Sequence, residues 1–143
     1  NPPGGSENTI IHQFLHKNGI KFIDTPLVKK EHQGRARYKT TINFTGKRNH
    51  LGMTYLVRNI VFEPTEHRGI DWVSFAMWQI DAAFRWNKPA IISSHRVNYS
   101  GNISENNRLA GITSLKLLLK SIKNRWPDVE FLSADSLASK IAE

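Results

Sequence analysis

Apolar residues recur at helical spacing in four segments of the chain. The pattern predicts helices over residues 6–18, 70–86, 106 or 107 to 125, and 133 or 134 to 142. Ser6 is a plausible N-cap of the first helix, and Gly19 suits the left-handed position that ends it. These helices are separated by short apolar runs, which are the candidate strands.

The candidate strands fall into two groups. Short apolar runs at residues 20–23, 90–94 and 129–132 each follow a predicted helix. Residues 37–44 alternate between apolar and polar, which is typical of a half-buried strand, and residues 53–62 are apolar enough for one or two more. We predict that residues 29–63 form an antiparallel excursion inserted between the other elements.

The alternation of helix and strand predicts an α/β fold with parallel strands joined by helical crossovers. We expect residues 1–143 to form one domain. Three parallel strands are few for a sheet covered on both faces, so the pattern favours the C-terminal portion of a larger sheet or barrel. On this view the opening NPPGG is a strand-to-helix loop whose strand, with the N-terminal half of the barrel, lies upstream.

Composition narrows the possible functions. The chain has 143 residues and no cysteine, so disulfides and thiolate chemistry are excluded. No run of eighteen apolar residues occurs, and we predict no membrane span. The net charge is +8, which favours acidic partners, but the cations are scattered. Nucleic-acid binding is therefore not expected, and a solvated basic face is the simpler interpretation.

Chemistry in parallel α/β folds collects on loops at the carboxyl ends of strands. The sharpest such place is IISSHRVNYSGN, where His95 emerges directly after an apolar run. A histidine there can exchange protons with a substrate near neutral pH. The structural alternative is a histidine that only hydrogen-bonds its own loop.

Three segments in this order resemble the C-terminal half of NodB-homology polysaccharide deacetylases. NPPGGSENTIIHQFLHKNGIKFIDT is similar to that family's Arg-Pro-Pro-(Tyr/Gly)-Gly segment with its following helix and strand. IDW is similar to the end of its Asp-x-x-Asp-Trp motif, and AIISSH to the strand that ends in its late histidine. The chain departs from the family pattern at Asn1, Arg68 and Arg96.

The resemblance implies a partial, distorted (β/α) barrel that removes acetyl groups from a glycan. His95 would be the general acid, and Asp71 with Trp72 would hold and tune it. We expect Trp72, Arg96, Asn98 and Asn1 to contact the glycan. The family uses a divalent metal, usually zinc, whose ligands belong to the first half of the barrel. No metal ligand is therefore assigned in this chain, and the fragment alone is not expected to catalyse.

Two alternatives stay open. One is glycoside hydrolysis on the same barrel. The other is a non-catalytic basic domain that grips an anionic polymer with residues 35–48. The family resemblance favours a periplasmic or secreted location.

Overall fold

The computed structural model describes residues 8–66, 68–101 and 104–142. The chain divides into two compact units. The first comprises Asn1–Arg58 with Leu132–Glu143, and the second is Asn59–Phe131. Asn1 and Ser6, a predicted glycan contact and a predicted helix cap, lie outside the described residues.

The first unit contains two helices and two small sheets. Its elements are α1 (Ile11–Lys17), β1 (Phe22–Pro26), β2 (Val28–His32), β3 (Tyr38–Ile42), β4 (Thr54–Arg58) and α4 (Ala134–Ala142). Strands β1 and β4 pair in parallel, and β2 and β3 form an antiparallel hairpin. The buried core beside the parallel pair consists of Ile23, Met53, Tyr55 and Val57, with Leu15 and Leu51 packed against it.

The second unit is built on a strand–helix–strand segment. Its elements are β5 (Ile60–Val61), α2 (Trp72–Arg85), β6 (Ile92–Ser93), a short 3₁₀ helix (Arg96–Tyr99) and α3 (Glu105–Arg125). Strands β5 and β6 pair in parallel. One face of α2 and one of α3 complete the core, which consists of Ile60, Phe62, Trp72, Ala76, Ile80, Ala83, Leu118 and Ile122.

The described residues thus form a mixed α/β structure with small parallel and antiparallel sheets and no closed barrel. No helix among them combines the length and apolar character needed to cross a membrane.

The predicted antiparallel excursion is correct for the β2–β3 hairpin and for an isolated antiparallel bridge between Arg48 and Thr54. Strands β4 and β5, also assigned to it, pair in parallel with β1 and β6 instead. The reason is visible in β4, where Thr54, Tyr55, Leu56 and Val57 are all buried. A run buried on both faces suits a parallel strand, whereas a half-exposed antiparallel strand alternates.

Residues 129–132 do not form the predicted strand. The Val129 N–H donates to the carbonyl of Trp126 and closes a turn, and no ladder partner for this segment occurs in the described part of the chain. Of the three predicted parallel strands, those at residues 20–23 and 90–94 do pair in parallel, and the one at residues 129–132 is wrong. The parallel partners of the first two come from residues 54–61.

The first helix begins later than predicted, at Ile11. Asn8 accepts a hydrogen bond from the Ile10 N–H through its side chain, which folds the preceding residues into a turn. Thr9 is held outside the helix because its N–H and hydroxyl both donate to Glu31.

Helix α2 begins at Trp72 because Asp71 caps it. The Asp71 carboxylate accepts hydrogen bonds from the N–H groups of Val73 and Ser74 and from the Ser74 hydroxyl. The bonds from Ser74 lower the pKa of Asp71, with a smaller contribution from Val73 and with desolvation opposing them. The ionised form is the better acceptor, so this cap is strongest when Asp71 is charged.

We predict that Asp71→Ala lowers the free energy of unfolding by about 1 kcal/mol at neutral pH, the usual effect of removing an N-cap. Folding lowers the pKa of Asp71. The stability that the ionised carboxylate supplies is therefore present above the unfolded-state pKa and is lost as the pH falls through the folded-state pKa. Urea unfolding at neutral pH and at acidic pH measures both effects.

Asp71→Asn is the matched control because asparagine caps helices without a charge. It should retain most of the stability and lose the acid dependence. If Asp71→Asn lost as much stability as Asp71→Ala, the stabilisation by Asp71 would come from its charge and not from its cap geometry.

Candidate functional site

A histidine and a glutamate meet at the carboxyl ends of β5 and β6. The strands pair in register, with Ile60 opposite Ile92 and Val61 opposite Ser93. Continuing that register by two residues places Glu63 opposite His95. The predicted location of chemistry at a strand's carboxyl end therefore brings together two residues that are 32 positions apart in the chain.

The two side chains are in direct contact. Nδ1 of His95 lies 2.7 Å from Oε1 of Glu63, and the His95 backbone N–H lies 3.4 Å from Oε2. The imidazole is 78% exposed, whereas the Glu63 side chain is only 12% exposed. The carboxylate is thus buried beneath a ring whose opposite edge, carrying Nε2, is on the solvent side.

Asn98 completes the environment of Glu63. It is almost fully buried, at 1% exposure, within the 3₁₀ helix. Its side-chain N–H group donates to Oε2 of Glu63 at 2.7 Å and to the His95 carbonyl at 2.9 Å. Its side-chain carbonyl accepts hydrogen bonds from the N–H and the hydroxyl of Thr65.

These contacts bear on the position of the proton on the His95 ring. Asn98 and the His95 backbone both donate to Oε2 of Glu63, which leaves Oε1 for the ring. An ionised carboxylate can only accept hydrogen bonds, so with Glu63 ionised Nδ1 is the donor to Oε1. Any proton that His95 exchanges with a substrate is therefore carried at Nε2.

Tyr99 is the last residue of the 3₁₀ helix and is hydrogen-bonded to Ser94 near Glu63. Its hydroxyl and that of Ser94 are 2.8 Å apart. Burial raises the pKa of Tyr99, and the negative charge of Glu63 raises it further, although the bond with Ser94 opposes both. Tyr99 consequently stays protonated through neutral and mildly alkaline pH, so it supplies a neutral hydroxyl at this end of the 3₁₀ helix.

A glycine in α3 allows the 3₁₀ helix to approach closely. A Cβ atom placed on Gly111 would lie 1.9 Å from the carbonyl oxygen of Asn98 and 3.4 Å from the Thr65 side chain. Any larger residue must displace this backbone. Gly111 therefore fixes the depth at which Asn98 sits, and through Asn98 the position of Glu63.

The predicted site residues are only partly brought together. His95 and Asn98 share Glu63, but Asn98 is buried and holds the site together, so it offers no surface to a glycan. Arg96 is exposed at the start of the 3₁₀ helix. Asn1 lies outside the described residues.

Asp71 and Trp72 have other roles than those predicted. Asp71 caps α2, and the contact with Nδ1 of His95 belongs to Glu63. Trp72 is 7% exposed within the core of the second unit, and its indole N–H donates to the carbonyl of Glu66. A buried indole presents no face on which a sugar ring can stack.

Sequence reasoning missed Glu63 and Gly111. Glu63 follows the apolar run of β5, so the rule that selected His95 would have selected it too, had β5 been recognised as a parallel strand. Gly111 stands alone inside a helix, where glycine costs about 1 kcal/mol relative to alanine. That cost is a signal of close packing.

In the described part of the chain, no three histidine, aspartate or glutamate side chains come close enough to hold a metal ion. Comparisons of the chain with protein-family models, with curated proteins and with solved structures found no match.

We predict that Gly111→Ala destabilises the protein by about 1–3 kcal/mol, the usual effect of overpacking, although alanine favours helices more than glycine does. Urea unfolding measures the loss. Thr113→Ala, at an exposed position of the same helix, is the control and should change stability by less than about 0.5 kcal/mol. Equal stability of Gly111→Ala and the parent would contradict the close approach.

We also predict that neutral His95 carries its proton on Nδ1. Nitrogen-15 NMR above neutral pH distinguishes the two tautomers through their ring-nitrogen shifts. In Glu63→Ala the acceptor is gone, so His95 should resemble the exposed His16, which serves as an internal control in the same spectrum. A parent protein in which His95 already matches His16 would exclude the Glu63 contact.

Proposed function

We propose that this chain is the C-terminal portion of a polysaccharide deacetylase-like (β/α) barrel in which His95 transfers a proton to the leaving group. The proposal joins the family resemblance of NPPGG, IDW and IISSH to one geometric observation. That observation is the 2.7 Å contact between Nδ1 of His95 and the buried carboxylate of Glu63.

The contact supports a proton-transfer role for a specific reason. An exposed histidine without a partner rotates and exchanges between tautomers. Here one ring nitrogen is committed to Glu63, and Glu63 is itself held by Asn98. The remaining nitrogen, Nε2, is left in a fixed orientation, where it accepts a proton when the ring is neutral and donates one when the ring is an imidazolium.

Removal of an acetyl group needs such a donor. A water oxygen bonds to the acetyl carbon, and the bond from that carbon to the glycan nitrogen or oxygen breaks. The leaving atom must gain a proton, which Nε2 of the His95 imidazolium donates, leaving the neutral ring with its proton on Nδ1. The proton lost by water goes to the aspartate base that the resemblance places in the first half of the family's barrel. The products are acetate and a free amine or hydroxyl group.

The same geometry favours deacetylation over glycoside hydrolysis. Glycosidases use two carboxyl groups, of which one must give up a proton. Both oxygens of Glu63 are occupied as hydrogen-bond acceptors, from His95 and from Asn98. Glu63 is therefore arranged to position a histidine, and the imidazole is the group that faces outward.

The wider features of the proposal follow the resemblance. The parallel pairs β1–β4 and β5–β6 would be parts of the barrel wall, and the metal and base would come from the preceding half. The substrate would be an acetylated glycan outside the cytoplasm. The partners of this segment would be that glycan and the first half of the barrel.

The test is acetate release by the full-length protein, supplied with zinc and a panel of N-acetylated and O-acetylated oligosaccharides. We predict that His95→Gln lowers kcat by about 10²–10⁴-fold, the range expected for a general acid. His16→Gln, at an exposed position of α1, should leave kcat unchanged. Unchanged kcat in His95→Gln would remove His95 from the mechanism.

A further inference from the structure

The β2–β3 hairpin has one fully exposed face. Residues opposite each other in an antiparallel pair project to the same side, and here Val28 pairs with Ile42, Lys30 with Thr40, and His32 with Tyr38. All six are exposed. We call this set of six residues the hairpin face.

The opposite side of the hairpin is anchored in the first unit. Glu31 accepts hydrogen bonds from the N–H and the hydroxyl of Thr9, at 2.7 and 2.5 Å. Lys29 is 4% exposed and contacts the same hydroxyl at 3.3 Å. The hairpin is therefore held with a defined side outward.

This anchoring separates the charges. Between residues 27 and 48 the sequence has one carboxylate, Glu31, and seven cations, which are Lys29, Lys30, Arg35, Arg37, Lys39, Lys47 and Arg48. The carboxylate is turned toward Thr9. Desolvation is the largest single effect on its pKa and raises it, but the two bonds from Thr9 and the charges of Lys29 and Lys39 together outweigh it, so the pKa of Glu31 is lowered. The charged residues that remain on the hairpin face and tip are therefore all cations.

The tip of the hairpin presents two of those cations on a tightly folded loop. Arg35 and Ala36 have left-handed backbone angles, with φ of 47° and 56°. The loop is closed by hydrogen bonds from the Gln33 N–H to the Arg37 carbonyl and from the Arg37 N–H to the Gly34 carbonyl. Non-glycine residues are uncommon in this conformation, so the tip has a specific geometry.

The hairpin face also carries an exposed aromatic ring. Tyr38 is 62% exposed and lies nearly perpendicular to His32, at 75° with 5.2 Å between ring centroids. Val28 and Ile42 extend the apolar part of the face. A sugar ring has an apolar C–H side that packs on aromatic and aliphatic surface, and polar or charged groups at its edge.

We propose that the hairpin face and the adjoining tip bind an acidic glycan, with Tyr38 packing on a sugar ring and with Lys30, Arg35 and Arg37 pairing with its carboxylate or sulfate groups. The proposal extends the proposed function, because it names the class of glycan that the deacetylase-like protein would hold. Nucleic acid fits less well, since the face has a single tyrosine and no row of aromatic rings on which successive bases could stack.

Binding is measured by calorimetry with the chain itself, and polygalacturonate is the acidic probe. Dextran is the neutral probe and single-stranded DNA the competing polyanion. The expected order of affinity is polygalacturonate first, then DNA, with dextran undetectable. Affinity for polygalacturonate should fall steeply between 50 and 500 mM NaCl, as expected of charge pairing in water.

The decisive variant removes the three cations as Lys30→Gln, Arg35→Asn and Arg37→Gln together. Asparagine is used at position 35 because it tolerates a left-handed backbone. We predict a loss of affinity for polygalacturonate of about tenfold or more at 50 mM NaCl. Circular dichroism confirms that the variant is folded.

The matched control removes three exposed cations from α3, as Arg108→Gln, Lys116→Gln and Lys120→Gln. The net charge changes equally, but affinity should fall by less than about twofold. Equal losses in the two triple variants would show that overall charge attracts the polymer, and would overturn the proposal. So would the absence of binding at 50 mM NaCl.

Tyr38→Ala tests the sugar contact separately. It should weaken binding by about fivefold at both salt concentrations, because packing on an aromatic ring is not screened. Unchanged affinity, or DNA bound as tightly as polygalacturonate, would overturn the assignment of the ligand as a glycan.

Failure of this inference is distinguishable from failure of the proposed function. His95→Gln should bind polygalacturonate like the parent. A protein that binds through the hairpin and releases no acetate contradicts the deacetylase proposal alone. A protein that releases acetate while both triple variants bind equally contradicts the hairpin proposal alone.

Discussion

The parallel pairing of β5 and β6 is the constraint on which the candidate site depends. Because these strands run in the same direction and in register, their carboxyl ends bring Glu63 and His95 together. An antiparallel arrangement would separate the two ends. The site is therefore a consequence of strand direction, and the residues that hold it in place act on that starting geometry.

Hydrogen bonds and close packing around Asn98 then hold Glu63 and His95 in fixed positions. Asn98 gives hydrogen bonds to Glu63 and to the backbone of His95, and it accepts two from Thr65. A buried carboxylate without such partners would be costly. Gly111 permits this arrangement, because only a residue without a side chain lets the backbone of Asn98 come so near to α3.

The elements with strong periodicity were predictable, and the strand partners were not. Helix α2 and helix α3 follow their apolar spacing to within a few residues. The alternation in residues 37–44 correctly indicated the strand β3, but the strand is largely exposed, so the half-buried environment predicted for it is wrong. Because β4 is buried on both faces, its sequence is a continuous run without alternation. Such a run does not indicate whether the strand pairs in parallel or antiparallel. Functional residues are expected at the carboxyl ends of parallel strands, which is how His95 was selected. Because β5 was assigned to an antiparallel excursion, Glu63 at its end was not selected. Asp71 shows a different difficulty. A carboxylate next to the start of a helix can cap that helix or contact a histidine, and the sequence does not distinguish the two roles.

The central claim is that Glu63 acts through His95 and has no separate role in proton transfer. The most direct test is a double-mutant cycle on kcat/KM for acetate release by the full-length protein, using Glu63→Gln and His95→Gln. Our account predicts that Glu63→Gln slows the parent but causes no further loss once His95 is replaced. Losses that multiply in the double variant would contradict it, because they would show two groups acting independently.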